Sequence, residues 1–180
     1  MSIDSQIPAH YDGKTIRLHW ITALLVILLW GLGETIDWFP RGTPRVTMRS
    51  LHISLGVILG LVIAYRIWWR STGGVRLPPA ETGKLQTLAT AIHFLLYAGV
   101  VATVVFGVAN VWVRGDTIFN LFTVPKLDPA NKPLRETIEE LHELAANIVI
   151  VLAALHAGAA LMHHYLWKDQ VLRRMLPGSR

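Results

Sequence analysis

Four separate stretches of this chain are long and apolar enough to cross a lipid bilayer, and that constrains its fold more than anything else in the sequence. A hydrocarbon core about 30 Å thick needs about 20 mostly apolar helical residues. The four stretches run roughly from Ile16 to Ile36, Leu51 to Trp69, Leu88 to Val113 and Leu144 to Leu166. Between them lie DWFPRGTPR, STGGVRLPPAETGK and RGDTIFNLFTVPKLDPANKPLRE, whose Pro, Gly and Asp mark loops. The expected fold class is an all-α integral membrane protein, a bundle of four transmembrane helices forming one domain over residues 1–180. The first stretch is expected to stay as a span. It is too long for the apolar part of a signal peptide and runs into Asp37, Trp38 and Pro40 rather than a small-residue cleavage site.

Composition agrees. Only 16% of residues are charged and 52% are hydrophobic, whereas a soluble domain carries about 25% charged residues. The net charge of +5 could suggest nucleic acid. The basic residues cluster at the ends of the apolar runs instead, which speaks for membrane topology and against a nucleic-acid partner. There is no cysteine, so disulfides, iron–sulfur clusters and covalently attached c-type haem are excluded. Any haem in this chain is held non-covalently.

Lys and Arg counts orient the spans. Ten lie on the side of the two termini and the second loop, including Lys14, Arg17, Arg66, Arg70, Lys84 and Arg180, against seven on the other side. Both termini are therefore expected in the cytoplasm. Trp38, Trp68, Trp69, Trp112 and Trp167 fall at span ends, where aromatic belts form.

Ionisable residues inside a span are expensive and mark function. Of eight histidines, His19, His52, His93, His142 and His156 lie in or at the edges of spans. His142 and His156 are fourteen residues apart on the fourth span, which separates them by about 40° and about 21 Å. That spacing suggests two sites, one near each membrane surface. His52 opens the second span and His142 the fourth, both on the periplasmic side. His19 opens the first span on the cytoplasmic side, level with His156, although depth alone also allows His163. Facing imidazoles in a helix bundle suit six-coordinate haem iron. Zinc, which wants its ligands at one level, fits poorly. Gly56 and Gly60 after His52, and Gly158 with the alanines around His156, leave room for a porphyrin; Gly56 and Gly60 equally form a helix-packing G-x-x-x-G. His93 has no partner by this reasoning and reads as an ordinary helix contact.

The segments LHW around His19, WFPR from Trp38, LHISLG around His52, IHFLLY around His93, VRG around Arg114, ELHELAANI around His142 and LHAGAALMHHYLWKD from Leu155 resemble the bacterial cytochrome b561 family, specifically its superoxide oxidase type. The resemblance runs from Arg17 to Pro177. It implies a multi-pass protein of the bacterial inner membrane with two b haems, passing electrons from superoxide to ubiquinone. It also implies bis-histidine ligation by His19 with His156 and by His52 with His142. His163 matches a family position connected with quinone binding, with Trp167 and Lys84 as neighbours. On this reading Arg41, Arg45, Arg49 and Arg114, at the periplasmic end, form a positive funnel for superoxide or partners for haem propionates. The competing expectation is a non-catalytic carrier that takes electrons from a docked dehydrogenase or periplasmic redox protein. A haem-free membrane anchor or metal transporter is a third. The sequence names no protein partner.

Overall fold

The structure, a computed structural model, describes residues 10–177; Arg180, counted above in the topology, lies outside them. Helix α1 spans Gly13–Thr35, α2 Thr43–Thr72, α3 Gly83–Arg114 and α4 Lys132–Met162. All four are long and apolar enough to cross a membrane. A 3-10 turn over Ile36–Trp38 follows α1, and a π-helical turn over His163–Trp167 follows α4. A small antiparallel hairpin, β1 (Thr117–Ile118) with β2 (Phe122–Thr123), sits in the α3–α4 connection. The helices α2 and α4 begin well before the apolar runs at Leu51 and Leu144, so their first turns are polar and stand above the membrane.

Local chemistry sets these limits. The carboxylate of Asp12 caps α1 by accepting from the backbone N–H groups of Lys14 and Thr15. Pro44 and Pro133 sit in the first turns of α2 and α4, where a missing N–H costs nothing. Gly115 ends α3 in the left-handed region at φ 66°, and its N–H and that of Asp116 both reach the carbonyl of Val111. This is the glycine-ended helix stop.

α1 packs along α2 and α3 along α4, and contacts of α2 with α3 and of α1 with α4 close the bundle. All four helices meet in a narrow seam made by Leu25, Leu29, Leu59, Ile63, Val100 and Val149. Outside it, large apolar side chains such as Leu24, Ile27, Leu61, Phe94, Val105 and Leu155 are exposed. In water such a surface would be untenable; facing lipid tails it costs nothing. Trp38, Trp68, Trp112 and Trp167 are exposed near helix ends.

The two ends of the bundle are sewn by hydrogen bonds. At the end carrying the termini, Asp12 also accepts from the indole of Trp69 at 3.2 Å and the N–H of Val75 at 3.1 Å. The Trp20 indole donates to the carbonyl of Met175, and Arg174 to that of Pro78. At the opposite end the fully buried Ser50 accepts from the N–H of Phe119 at 2.8 Å and fastens α2 to the hairpin.

Burial opposes ionisation of Asp12, but hydrogen bonds from Thr15, Val75 and Trp69 outweigh it and lower its pKa to about 2. Its stabilising contribution is therefore complete above the ordinary value of 3.8 and is lost as pH falls through about 2. Asp12→Ala removes the cap, a loss of about 0.5–2 kcal/mol. In detergent the variant melts below the parent protein at neutral pH, and the gap closes on acidification toward pH 2.

Candidate functional site

On α4, residues seven apart stay close to one stripe, drifting only about 20° per step. His142, Val149, His156 and His163 occupy that stripe. Val149 is 3% exposed, so the stripe faces the interior. The histidines therefore point into the bundle at successive depths.

At the outer level His142 meets His52 of α2, ring centre to ring centre, at 6.1 Å. His142 Nδ1 lies 3.0 Å from the carbonyl of Thr103. Donation from that nitrogen fixes the tautomer and leaves Nε2 bare as a ligand atom. Glycine on α3 makes this possible. A Cβ at Gly107 would lie 3.0 Å from the His142 ring, and one at Gly33 of α1 would lie 3.4 Å from the His52 ring. Nδ1 of His52 is buried without a hydrogen bond of its own. An unpaired polar nitrogen in an apolar seam is costly.

At the inner level His156 faces His19 of α1 at 6.2 Å between ring centres. His93 of α3 stands nearer to His156, at 5.1 Å, so this level holds three imidazoles rather than two. Two metal–nitrogen bonds of about 2 Å each set the ring centres of a bis-imidazole metal about 6 Å apart. The pairs His52–His142 and His19–His156 match that separation, and His93–His156 is too close. The residues present thus fit b-type haem, which paired imidazoles of this spacing would hold, with His93 beside the His19–His156 pair. Arg66 complicates His19. Counted from the sequence among loop charges, it lies inside α2, 3.1 Å from Nδ1 of His19 and over the ring of Tyr97. A donor on Nδ1 leaves the neutral ring's proton on Nε2, so ligation through Nε2 requires the Arg66 contact to give way.

The glycines singled out for porphyrin room divide. A Cβ at Gly60 would meet Val104 of α3 at 3.1 Å, which makes it a packing glycine, whereas Gly56 and Gly158 face open space.

The four arginines do not act as one group. Arg45 clamps the α1–α2 connection, bonding the carbonyls of Asp37 and Phe39 and ion-pairing with the Asp37 carboxylate. Arg41 is exposed just before α2. Arg49 and Arg114 line a polar cleft of about 250 Å³ with Asp116, Thr117 and Arg135. Arg49 and Arg114 approach Asp116 at 3.7 and 3.6 Å, and Arg114 bonds Glu139 at 2.6 Å. Arg135 reaches Glu139 at 3.9 Å. Three guanidinium groups thus face two carboxylates, leaving the cleft positive. Burial pushes the Asp116 carboxyl above its ordinary pKa, and Arg114 and Arg49 offset this only in part.

At the inner end of the stripe the π-helical turn carries His163 and Trp167 into edge-to-face contact at 4.4 Å. Nδ1 of His163 bonds the carboxylate of Asp169, and Glu81 stands 3.7 Å away. Lys84, expected in this group, is exposed in the first turn of α3 and makes no bond to His163 or Trp167 among the described residues. Glu81, from the same connection, occupies the place instead. Glu81, Asp169, Arg66, His93, Arg135 and Glu139 were all missed as site residues from sequence. Arg66 and His93 carried a usable signal, as ionisable residues within apolar runs, but Arg66 was counted with the loop and His93 was left without a partner.

Comparison with known proteins agrees with this architecture. The profile of the prokaryotic cytochrome b561 family matches residues 10–178. "Cytochrome b561 homolog 1" of Escherichia coli (strain K12) is 34% identical over 171 residues, covering 93% of this chain and 97% of the relative. "Probable superoxide oxidase CybB" of Yersinia pestis is 32% identical over 177 residues, covering 94% and 97%. "Cytochrome b562" of Cereibacter sphaeroides is 27% identical over 176 residues. With four membrane-length helices, imidazoles converging at two depths and this match over nearly its whole length, the chain belongs to the prokaryotic cytochrome b561 family, multi-pass membrane electron carriers that hold b-type haem.

Proposed function

We propose that this protein is a superoxide:ubiquinone oxidoreductase of the bacterial inner membrane, with both termini in the cytoplasm and two b haems per chain. The observation that carries the reading is the pair of imidazole gaps, 6.1 and 6.2 Å, on one stripe of α4. Fourteen residues separate His142 from His156, a rise of about 21 Å, so the two sites lie near opposite faces of the bilayer. His52 with His142 would hold the outer haem and His19 with His156 the inner one. Haem b, when bound, supplies one-electron redox chemistry. Histidine pairs, glycine clearances and the surrounding apolar helices position it, shield it from water and set the polarity around it.

Two superoxide anions lose one electron each at the periplasmic face and leave as dioxygen. One ubiquinone gains those two electrons and two protons at the cytoplasmic face. The cleft of Arg49, Arg114 and Arg135 suits a small anion, because its excess positive charge attracts anions from solution and its Asp116 and Glu139 keep the guanidinium groups in place. Arg41 adds exposed positive charge to the approach, and Arg45 shapes the connection beneath it. The printed name of the Yersinia pestis relative supports superoxide as donor. His163 and Trp167, about two and three turns beyond His156, offer an imidazole and an aromatic face where a quinone ring would dock, with Lys84 at the rim.

Purified protein should give two haems per chain in a pyridine haemochrome assay. His52→Ala or His142→Ala removes one haem, and His19→Ala or His156→Ala removes the other. Loss of the same redox component by His52 and His156 variants would reject the pairing.

Superoxide alone should reduce the bound haem, with a rate that falls as salt rises because screening acts over about 8–10 Å. Arg49→Gln slows this step by up to about 10-fold at unchanged haem content and flattens the salt dependence, while Asp116→Asn speeds it. A salt-independent rate in the parent protein rejects electrostatic capture. Reduction only by a partner protein makes the chain a carrier rather than an oxidase.

A further inference from the structure

The cytoplasmic end of the α4 stripe holds a group of ionisable side chains that haem ligation does not use. One nitrogen of His163 and one carboxylate oxygen each from Glu81 and Asp169 lie within 4.8 Å of one another. They come from three places in the chain. His163 opens the π-helical turn, Glu81 lies in the α2–α3 connection, and Asp169 follows Lys168, whose left-handed φ of 56° turns the backbone sharply. The N–H of Asp169 then bonds the carbonyl of His163, and its side chain folds back onto Nδ1 of the same residue. Exposure rises from 13% at the His163 side chain to 26% at Glu81 and 33% at Asp169, so the carboxylates border water and the imidazole lies deeper.

The charged groups facing this cluster are few. Glu81 faces His163 from the loop. Asp169 and Arg174 come from the tail, and Arg174 is directed to the carbonyl of Pro78. Burial disfavours the ionised Asp169, but bonds from His163 and from the N–H of Val171, with the positive charge of Arg174, bring its pKa below the ordinary carboxylate value. Asp169 is therefore a standing carboxylate rather than a proton carrier.

We infer that Asp169 and Glu81 are positioning residues that make His163 the proton donor for quinone reduction, an inference that rests on the quinone reading above. An ionised carboxylate on Nδ1 keeps a proton there and turns Nε2 toward the ligand, as a carboxylate orients imidazole in hydrolytic triads. Ubiquinone needs two electrons and two protons to become ubiquinol. Each proton leaves Nε2 of His163 for a quinone oxygen, and that nitrogen is reprotonated from cytoplasmic water. Nδ1 keeps its proton throughout. The two carboxylates balance the charge of the ring while it carries both protons. The electrons are those delivered from the periplasmic face, so no further reductant is required.

The test uses haem-loaded protein reduced beforehand with dithionite, mixed with a short-chain ubiquinone in a stopped-flow instrument. Asp169→Asn slows haem reoxidation by about 10²-fold, the usual worth of a positioned acid–base group, and displaces the pH profile of the rate. Glu81→Gln slows it less and displaces the profile in the same direction. Asp169→Glu restores much of the rate. Equilibrium binding of the quinone, haem content and superoxide-driven haem reduction stay as in the parent protein. The inference is overturned if both Asn and Gln variants reoxidise at the parent rate with the parent pH profile. It is also overturned if the rate falls only because quinone no longer binds, which would make the cluster part of the docking surface. Failure of the parent protein itself to be reoxidised by ubiquinone would remove the quinone reading and this inference with it, a result distinct from either variant outcome.

Discussion

The interior stripe of α4 is the constraint on which the rest depends. Seven-residue steps put His142, Val149, His156 and His163 on one line, and Val149 shows how tightly that line is held, since a Cβ on Gly99 of α3 would stand only 2.8 Å from it. The two helices are therefore in tight contact midway between the two imidazole levels. Widening that contact would shift both levels together. The buried seam is otherwise thin, six aliphatic side chains drawn from four helices, so the bundle has little packing to spare for imidazoles in poor positions.

Each level answers the cost of burying polar groups differently. At the level nearer the hairpin, Nδ1 of His142 is disposed by a backbone carbonyl and the room is made by missing side chains, Gly107 and Gly33. At the level nearer the termini, no such glycine clearance accompanies His19 and His156 among the described residues, and polarity is handled by gathering His93, Arg66 and Tyr97 around them. The inner level is consequently the more polar of the two and the outer the more confined. Electrostatic surroundings of that kind tune the properties of a cofactor held between such imidazoles.

The spans were legible in the sequence because hydropathy over about 20 residues averages away local detail. The convergence of histidines at two depths was legible because a fourteen-residue separation on one helix leaves little freedom. Other features were hidden for identifiable reasons. Hydropathy could not show that α4 starts at Lys132, twelve residues before its apolar run, and so Arg135 and Glu139 went unrecognised beside Arg114. Arg66 looked like a loop charge because it stands near the end of an apolar run, yet its helix continues to Thr72 and its long side chain turns inward. His93 appeared solitary because its partner belongs to a pair already assigned by depth. Lys84 was expected beside His163 by resemblance, and three residues earlier the same connection delivers Glu81 to within 3.7 Å of that ring.

The π-helical turn at the end of α4 sets the direction of everything beyond it. Each α-helical residue advances the chain by about 100° around the axis, and a π turn accommodates one residue more than the α-helix would allow. Were the same five residues from His163 to Trp167 wound as regular α-helix instead, everything beyond them would swing by about a quarter-turn. Asp169 would then leave His163, and the tail contacts of Met175 with Trp20 and of Arg174 with Pro78 would lose their register. Every ionisable group of the cluster would still be present in the chain, yet the constellation would be gone. The winding of this segment, more than its composition, is what holds the cluster together.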